Sequence, residues 1–302
     1  MQAKVIHRMV GHAGPIYCLA KGLNPNTVLS GSSDRFVAEW NLQTGLPSSF
    51  SIKLQSIPYS LLNLEDNQLL LIGNALGEIH WIDTANKQEI KCMKAFSSAV
   101  FKLVSDGTCF YACSGEGELA IGTLADLEMH KLIKVCNEKI RHLAIDSDNQ
   151  TLILSCGDGF TRIVALQTGT FITEFSSHGL SSNCALVLPD GKLLTGGRDA
   201  YLNTWEKTDP NFTLFKAIPA QNFAVYDLAL SPDGKTIASA SRDKTIKLWN
   251  TDLAIQLRLD KAKFQGHGYS VNALYWDKQT QLLLSAGDDR TILSWEIASQ
   301  EN

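Results

Sequence analysis

Residues 231–250 read SPDGKTIASASRDKTIKLWN. A Pro-Asp-Gly turn at 232–234 leads into a run that alternates small polar and branched apolar residues. A second turn follows at Asp243, and the next run closes on Trp249. Alternation with period two marks a strand with one buried face, and the Pro, Gly and Asp positions mark the turns between strands. One such unit is only a hairpin, so the question is whether the six-residue step from Asp to Trp recurs. It does so in SGSSDRFVAEWN (30–41), with Asp34 and Trp40, and in TGGRDAYLNTWE (195–206), with Asp199 and Trp205. SAGDDRTILSWE (285–296) repeats it again with Asp289 and Trp295.

Weaker copies lie between these. LIGNALGEIHWID (71–83) keeps Trp81 but places Ala75 six residues before it. ACSGEGELAIGTL (112–124) has Glu116 and Gly122, and LSCGDGFTRIVAL (154–166) has Asp158 and Val164. The repeats then end near Trp40, Trp81, Gly122, Val164, Trp205, Trp249 and Trp295, at steps of 41, 41, 42, 41, 44 and 46 residues. A fixed period of about 40–45 residues is the length of a four-stranded propeller blade. Seven such units occupy residues 1–302, so the expectation is an all-β chain forming one seven-bladed β-propeller domain. A lone four-stranded sheet leaves both faces in water, whereas stacked blades cover each other.

A second signal precedes the strong copies. Gly11-His12 lies 22 residues before Asp34, Gly266-His267 lies 22 before Asp289, and Ser177-His178 lies 21 before Asp199. With its Gly-His starts and Trp-Asn or Trp-Glu ends, the chain resembles the WD-repeat β-propeller family. The resemblance implies a hydrogen-bonded chain in each blade, in which a turn Asp, a His, a Ser or Thr and a Trp hold one another. The matching sets are His12, Ser30, Asp34 and Trp40; His178, Thr195, Asp199 and Trp205; and His267, Ser285, Asp289 and Trp295. The sixth repeat keeps Ser239, Asp243 and Trp249 with Gln221 at the His position, and the third has Phe96, Ala112, Glu116 and Gly122 at the four places. The resemblance also implies that the first strand, around Ala3 to Val10, completes the last blade, which removes an open edge.

Composition narrows the function. With 27 basic and 31 acidic residues the net charge is −4, which argues against nucleic acid as a partner. The N-terminus MQAKVIHRMVGH has no apolar core of a signal peptide, and no apolar run is long enough to cross a membrane. Seven cysteines, an odd number placed mostly in strand patterns, point to free thiols and a cytoplasmic, reducing setting. Cys109 and Cys113 lack a partner pair and read as strand residues rather than metal ligands. The His, Ser and Asp sets have the composition of catalytic triads, but three copies at one place in the repeat, each ending on a Trp, read as structural. Gly157-Asp158-Gly159 reads as a blade turn, because no Lys-Ser/Thr follows it. No catalytic residue, metal or cofactor is expected.

The leading expectation is therefore a non-enzymatic scaffold, a monomeric ring that binds a protein partner. The alternative is a propeller enzyme or small-ligand binder using a central channel. In the family that the chain resembles, partner contacts gather three and five residues after the His and just before the turn Asp. Carried over, these offsets pick out Tyr17, Phe101, Lys139, Arg141, Arg198, Tyr226 and Arg242. The four cations fall on consecutive repeats, four to six. Arg and Tyr are the residue types enriched at binding hot spots, and a basic sector on an acidic chain suits an acidic segment of a partner.

Overall fold

The computed structural model describes residues 1–298. Their strands form seven four-stranded antiparallel sheets, six of them meanders of strands in sequence order. Blade 1 is Ile16–Lys21, Thr27–Ser32, Phe36–Asn41 and Pro47–Lys53. Blade 2 is Pro58–Leu64, Leu69–Asn74, Glu78–Asp83 and Gln88–Lys94. Blade 3 is Val100–Ser105, Cys109–Ser114, Glu118–Thr123 and Met129–Lys134. Blade 4 is Ile140–Asp146, Thr151–Cys156, Phe160–Ala165 and Phe171–Ser176. Blade 5 is Ser182–Val187, Leu193–Gly197, Tyr201–Thr208 and Asn211–Pro219, and blade 6 is Val225–Leu230, Thr236–Ser241, Ile246–Asn250 and Ile255–Leu259.

Blade 7 closes the count differently. Its first three strands are Val271–Trp276, Leu283–Gly287 and Thr291–Ala298, and its fourth is the N-terminal strand Gln2–Val10. That strand runs antiparallel to Thr291–Ala298, pairing Val5 with Trp295 and Val10 with Thr291. The first strand of the chain thus covers an edge that would otherwise present unpaired N–H and C=O groups.

The contacts divide the chain into two compact units. One holds Met1–Pro58 with the described residues from Gln221 on, hence blades 1, 6 and 7. The other holds Tyr59–Ala220, blades 2 to 5. Within each unit the first three strands of neighbouring blades supply the core. In the first unit, Ala238, Ile246 and Leu248 of blade 6 pack against Leu274, Leu283 and Trp295 of blade 7. In the second, Leu71, Ile79 and Trp81 of blade 2 pack against Val100, Leu103, Phe110 and Ala112 of blade 3. The second strands explain this arrangement. Residues 27–32, 69–74 and 151–156 are buried at every position, so both faces of each are covered.

Blade 2 departs from the reading of its sequence. The turn Asn74–Gly77 occupies the place of Ser32–Arg35 in blade 1, since each closes with a hydrogen bond from its last N–H to its first carbonyl. Trp40 pairs with Val28, and the equivalent pair in blade 2 is Leu70 with Ile82. Ile82 therefore holds the Trp position, and Trp81 points to the opposite face. The reason lies in blade 3, where Gly122 stands at the Trp position. A side chain there would collide with the Phe110 ring, which lies 2.3 Å from the place of a Cβ. Phe110 and Trp81 meet edge to face at 5.5 Å, and both are fully buried. Two rings from neighbouring blades thus meet where Gly122 carries no side chain.

Candidate functional site

The repeated polar residues come together within their blades. In blade 1 His12 Nδ1 lies 2.9 Å from Asp34, His12 Nε2 lies 2.8 Å from the Ser30 hydroxyl, and the Trp40 indole N–H donates to that hydroxyl at 2.8 Å. Blade 5 has the same chain through His178, Asp199, Thr195 and Trp205, each link at 3.0 Å. Blade 7 has it through His267, Asp289, Ser285 and Trp295, at 2.9, 2.8 and 2.8 Å. A consistent assignment has the Nδ1–H donating to Asp, so that Nε2 accepts from the hydroxyl. In blade 6 the amide of Gln221 replaces the imidazole. Its Nε2 donates to Ser239 at 2.9 Å, as does the Trp249 indole, and its Oε1 lies 3.3 Å from the Thr245 hydroxyl, which donates to Asp243 at 2.6 Å.

These groups are not available for chemistry. Ser30, Thr195 and Ser285 are fully buried, and each hydroxyl is already shared between an imidazole and an indole. A nucleophile needs an open line to its substrate, and these have none. The carboxylates carry a clear electrostatic signature. Burial alone would raise them, but accepted hydrogen bonds outweigh it. For Asp199 and Asp289 these come first from His178 and His267; for Asp34 they come from the Phe36 N–H and then His12. All three lie below the ordinary Asp range, Asp289 down to about 2.

The expected partner-contact residues are distributed over both units. Tyr17, Tyr226 and Arg242 belong to the first, where the exposed Arg242 guanidinium lies 6.0 Å from the Phe223 ring. Phe101, Lys139, Arg141 and Arg198 belong to the second. There the Arg141 guanidinium stands over Phe101 at 5.4 Å, and Phe101 tilts against Tyr59 at 5.7 Å. The Arg141 charge lowers the Lys139 ammonium, partial burial and the Arg198 charge lower it further, and Glu138 opposes them. Tyr59 and Phe223 escaped the sequence reading because they sit four and two residues after the His position, off the offsets that were carried over.

Two further features fall outside that reading. A cavity of ≈ 310 Å³ in the first unit is lined by Arg8, Lys261, Gln265, Gly266, Gly268, Tyr269, Asp289 and Thr291. In blade 2, Glu78, His80 and Cys92 place potential metal-ligand atoms within 4.8 Å of one another. The His80 ring is already satisfied there, by Glu89 at Nδ1 (2.7 Å) and the Asn74 amide at Nε2 (3.0 Å). Protein groups thus occupy both ring nitrogens. No helix is long and apolar enough to cross a membrane among the described residues.

Comparison with known proteins agrees with this geometry. Residues 3–41, 212–250 and 260–296 match the WD domain, G-beta repeat. The chain is similar to Protein groucho of Drosophila melanogaster, 30% identical over 112 residues, which cover 37% of this chain and 15% of groucho. It is 24% identical over 267 residues to telomerase protein component 1 of Mus musculus, covering 87% of this chain and 10% of that one. With cilia- and flagella-associated protein 57 of Mus musculus it shares 25% identity over 198 residues, 65% of this chain and 15% of that one. The chain thus spans a small fraction of each of these relatives. Among solved structures, the WD40 beta propeller domain of Doa1 superposes with a TM-score of 0.82 at 14% identity, covering 99% of this chain and 98% of that one. The chain thus carries WD40 repeats and has a seven-bladed β-propeller fold.

Two outcomes follow from the hydrogen-bonded chains. Trp295→Phe deprives Ser285 of its donor, whereas the Trp81 indole N–H has no partner to lose. Trp295→Phe is therefore expected to lower stability by about 1 kcal/mol more than Trp81→Phe, measured by urea unfolding; equal losses would contradict the assignment. The second outcome concerns acid. An unfolded Asp titrates near 3.9, so a carboxyl held lower in the folded state binds fewer protons there than in the unfolded chain. The stabilisation is complete above about pH 4 and is lost as pH falls through the folded values. Asp289→Asn should flatten the decline of the urea midpoint between about pH 4 and pH 2; an unaltered acid slope would contradict this.

Proposed function

We propose that the protein is a non-enzymatic scaffold for protein–protein contact that takes an acidic partner segment on the basic and aromatic surface of blades 2 to 5. The observation that supports this best is the gathering of Arg141, Lys139 and Arg198 beside the Phe101 and Tyr59 rings. Like charges held close together repel, so each gains when a carboxylate approaches, and the rings add apolar area beside the charge. The chain as a whole is acidic at −4, so this concentration of positive charge is a local feature. The fold favours the reading as well, because loops carried on a rigid scaffold are where contact residues concentrate.

The relatives lean the same way. Two are named as a telomerase protein component and a cilia- and flagella-associated protein, which are names of assembly members. All seven cysteines are free thiols, the state that a reducing compartment maintains, and the reading places the protein in the cytoplasm.

The test is titration of a fluorescent polyglutamate peptide followed by anisotropy. Binding that weakens with salt is expected, falling roughly tenfold or more in an Arg141→Glu/Arg198→Glu variant that keeps its circular dichroism. Equal affinity in that variant, or equal binding of a polylysine peptide, would overturn the reading.

A further inference from the structure

Blade 4 replaces the hydrogen-bonded chain with sulfur. The N–H of Cys136 bonds the Gly117 carbonyl as the N–H of His178 bonds that of Gly159, so Cys136 stands at the His position. Cys156 stands at the place of Gly197 in blade 5, because the turns that follow close alike, Gly159 N–H on the Cys156 carbonyl and Ala200 N–H on that of Gly197. In blade 5 a Cβ on Gly197 would lie 2.3 Å from the His178 ring. The second position therefore aims its side chain at the space that the imidazole occupies. In blade 4 these two positions carry thiols that interact with each other, while Cys156 Sγ lies 3.7 Å from the Leu154 carbonyl.

The surroundings differ for the two sulfurs. Cys156 is fully buried, whereas Cys136 is partly exposed, with its thiol donating to the Glu138 carbonyl at 2.9 Å. The Arg162 guanidinium reaches Cys156 while it is held by Asp158 at 2.8 Å and Glu174 at 2.7 Å. The neighbouring Cys156 holds the Cys136 thiol below its ordinary range, and the Glu138 backbone and Arg162 add to this against burial and Asp158. The most exposed cysteine, Cys92, is shifted the other way by burial and by Glu78 and Glu89. Among the seven thiols, one that ionises readily thus has a second in contact and a cation at hand.

We propose that Cys136 and Cys156 form a peroxide-reactive dithiol, with Cys136 the attacking thiol and Cys156 the resolving one. The Cys136 thiolate attacks one oxygen of a hydroperoxide. The O–O bond breaks, the sulfur is oxidised to a sulfenic acid, and the other oxygen leaves as water or an alcohol after taking a proton. Cys156 sulfur then attacks the sulfenic sulfur. The S–O bond breaks, a second water leaves with the Cys156 proton, and a disulfide remains. A thiol reductant returns the pair to its starting state by exchange. This site stands apart from the acidic-segment reading and does not depend on it.

The experiment uses the full chain and hydrogen peroxide, followed by alkylation of the remaining thiols and peptide mapping. The expected product is a linked peptide pair joining Cys136 to Cys156, lost on addition of dithiothreitol. Without peroxide at neutral pH, iodoacetamide should label Cys136 ~10-fold faster than Cys92. Cys136→Ser, on a partly exposed loop, should abolish the bridge, and Cys156→Ser should leave a sulfenic acid on Cys136 that a 1,3-diketone captures. Oxidation of Cys92 while Cys136 and Cys156 stay alkylatable would overturn the proposal. So would overoxidation of Cys136 beside an intact Cys156 thiol. The mapping on the unaltered chain decides the matter even where a variant fails to fold.

Discussion

A single buried hydroxyl sets the geometry of the strongest blades. Ser30, Thr195 and Ser285 each accept an indole N–H and meet an imidazole, and the imidazole in turn meets the turn carboxylate. An oxygen with two such partners ties together the approach to the blade, its second strand, its third strand and the turn between them. Removing one member strands the others without water, and each buried polar group left unsatisfied costs about 1–3 kcal/mol. That penalty explains why the four residues recur together and at nearly constant spacing. Blade 6 shows how far the rule bends. A glutamine serves in place of the imidazole, because its amide offers a donor toward Ser239 and sets its oxygen beside the Thr245 hydroxyl that holds Asp243.

Blades without the chain close by other means. Blade 3 has neither the hydroxyl nor the indole, and aromatic rings occupy the space instead. Phe96 and Phe110 are buried beside Trp81, and Gly122 leaves room for them. Replacing a full set of polar partners by apolar groups of matching shape can be close to neutral. Blade 4 takes another course, with Leu154 at the hydroxyl position and the Cys136 thiol at the His position. Because the frame is closed in each case, the start of each first strand and the segment before it remain available to carry charge and aromatic surface. Arg141 over Phe101 is the clearest instance.

Much of this was legible in the sequence. The period of about 41 to 46 residues foretold seven sheets, and the strand preceding Gly11-His12 foretold the closure of blade 7, now visible as the pairing of Gln2–Val10 with Thr291–Ala298. Other parts were not legible, for physical reasons. Trp81 lies one residue from the Trp position, and a strand turns alternate residues to opposite faces, so a one-residue error in alignment exchanges the two sides of the blade. Only the turn at Asn74 and the pairing of Leu70 with Ile82 settle which side it takes. The Tyr59–Phe101 contact joins two blades, and the contact of Cys136 with Cys156 joins residues 20 apart whose neighbours carry no motif. Such pairs follow from packing, which no local spacing encodes.

The central claim is that a blade closed by aromatic rings is as firmly held as one closed by hydrogen bonds. Native-state amide hydrogen exchange tests it most directly, comparing the strands within 109–123 of blade 3 with those within 236–250 of blade 6. Protection agreeing to within about tenfold is expected, since local opening free energies then differ by little more than 1 kcal/mol. Exchange in blade 3 roughly a hundredfold faster, or more, would contradict the claim and mark that sector as the loose part of the fold.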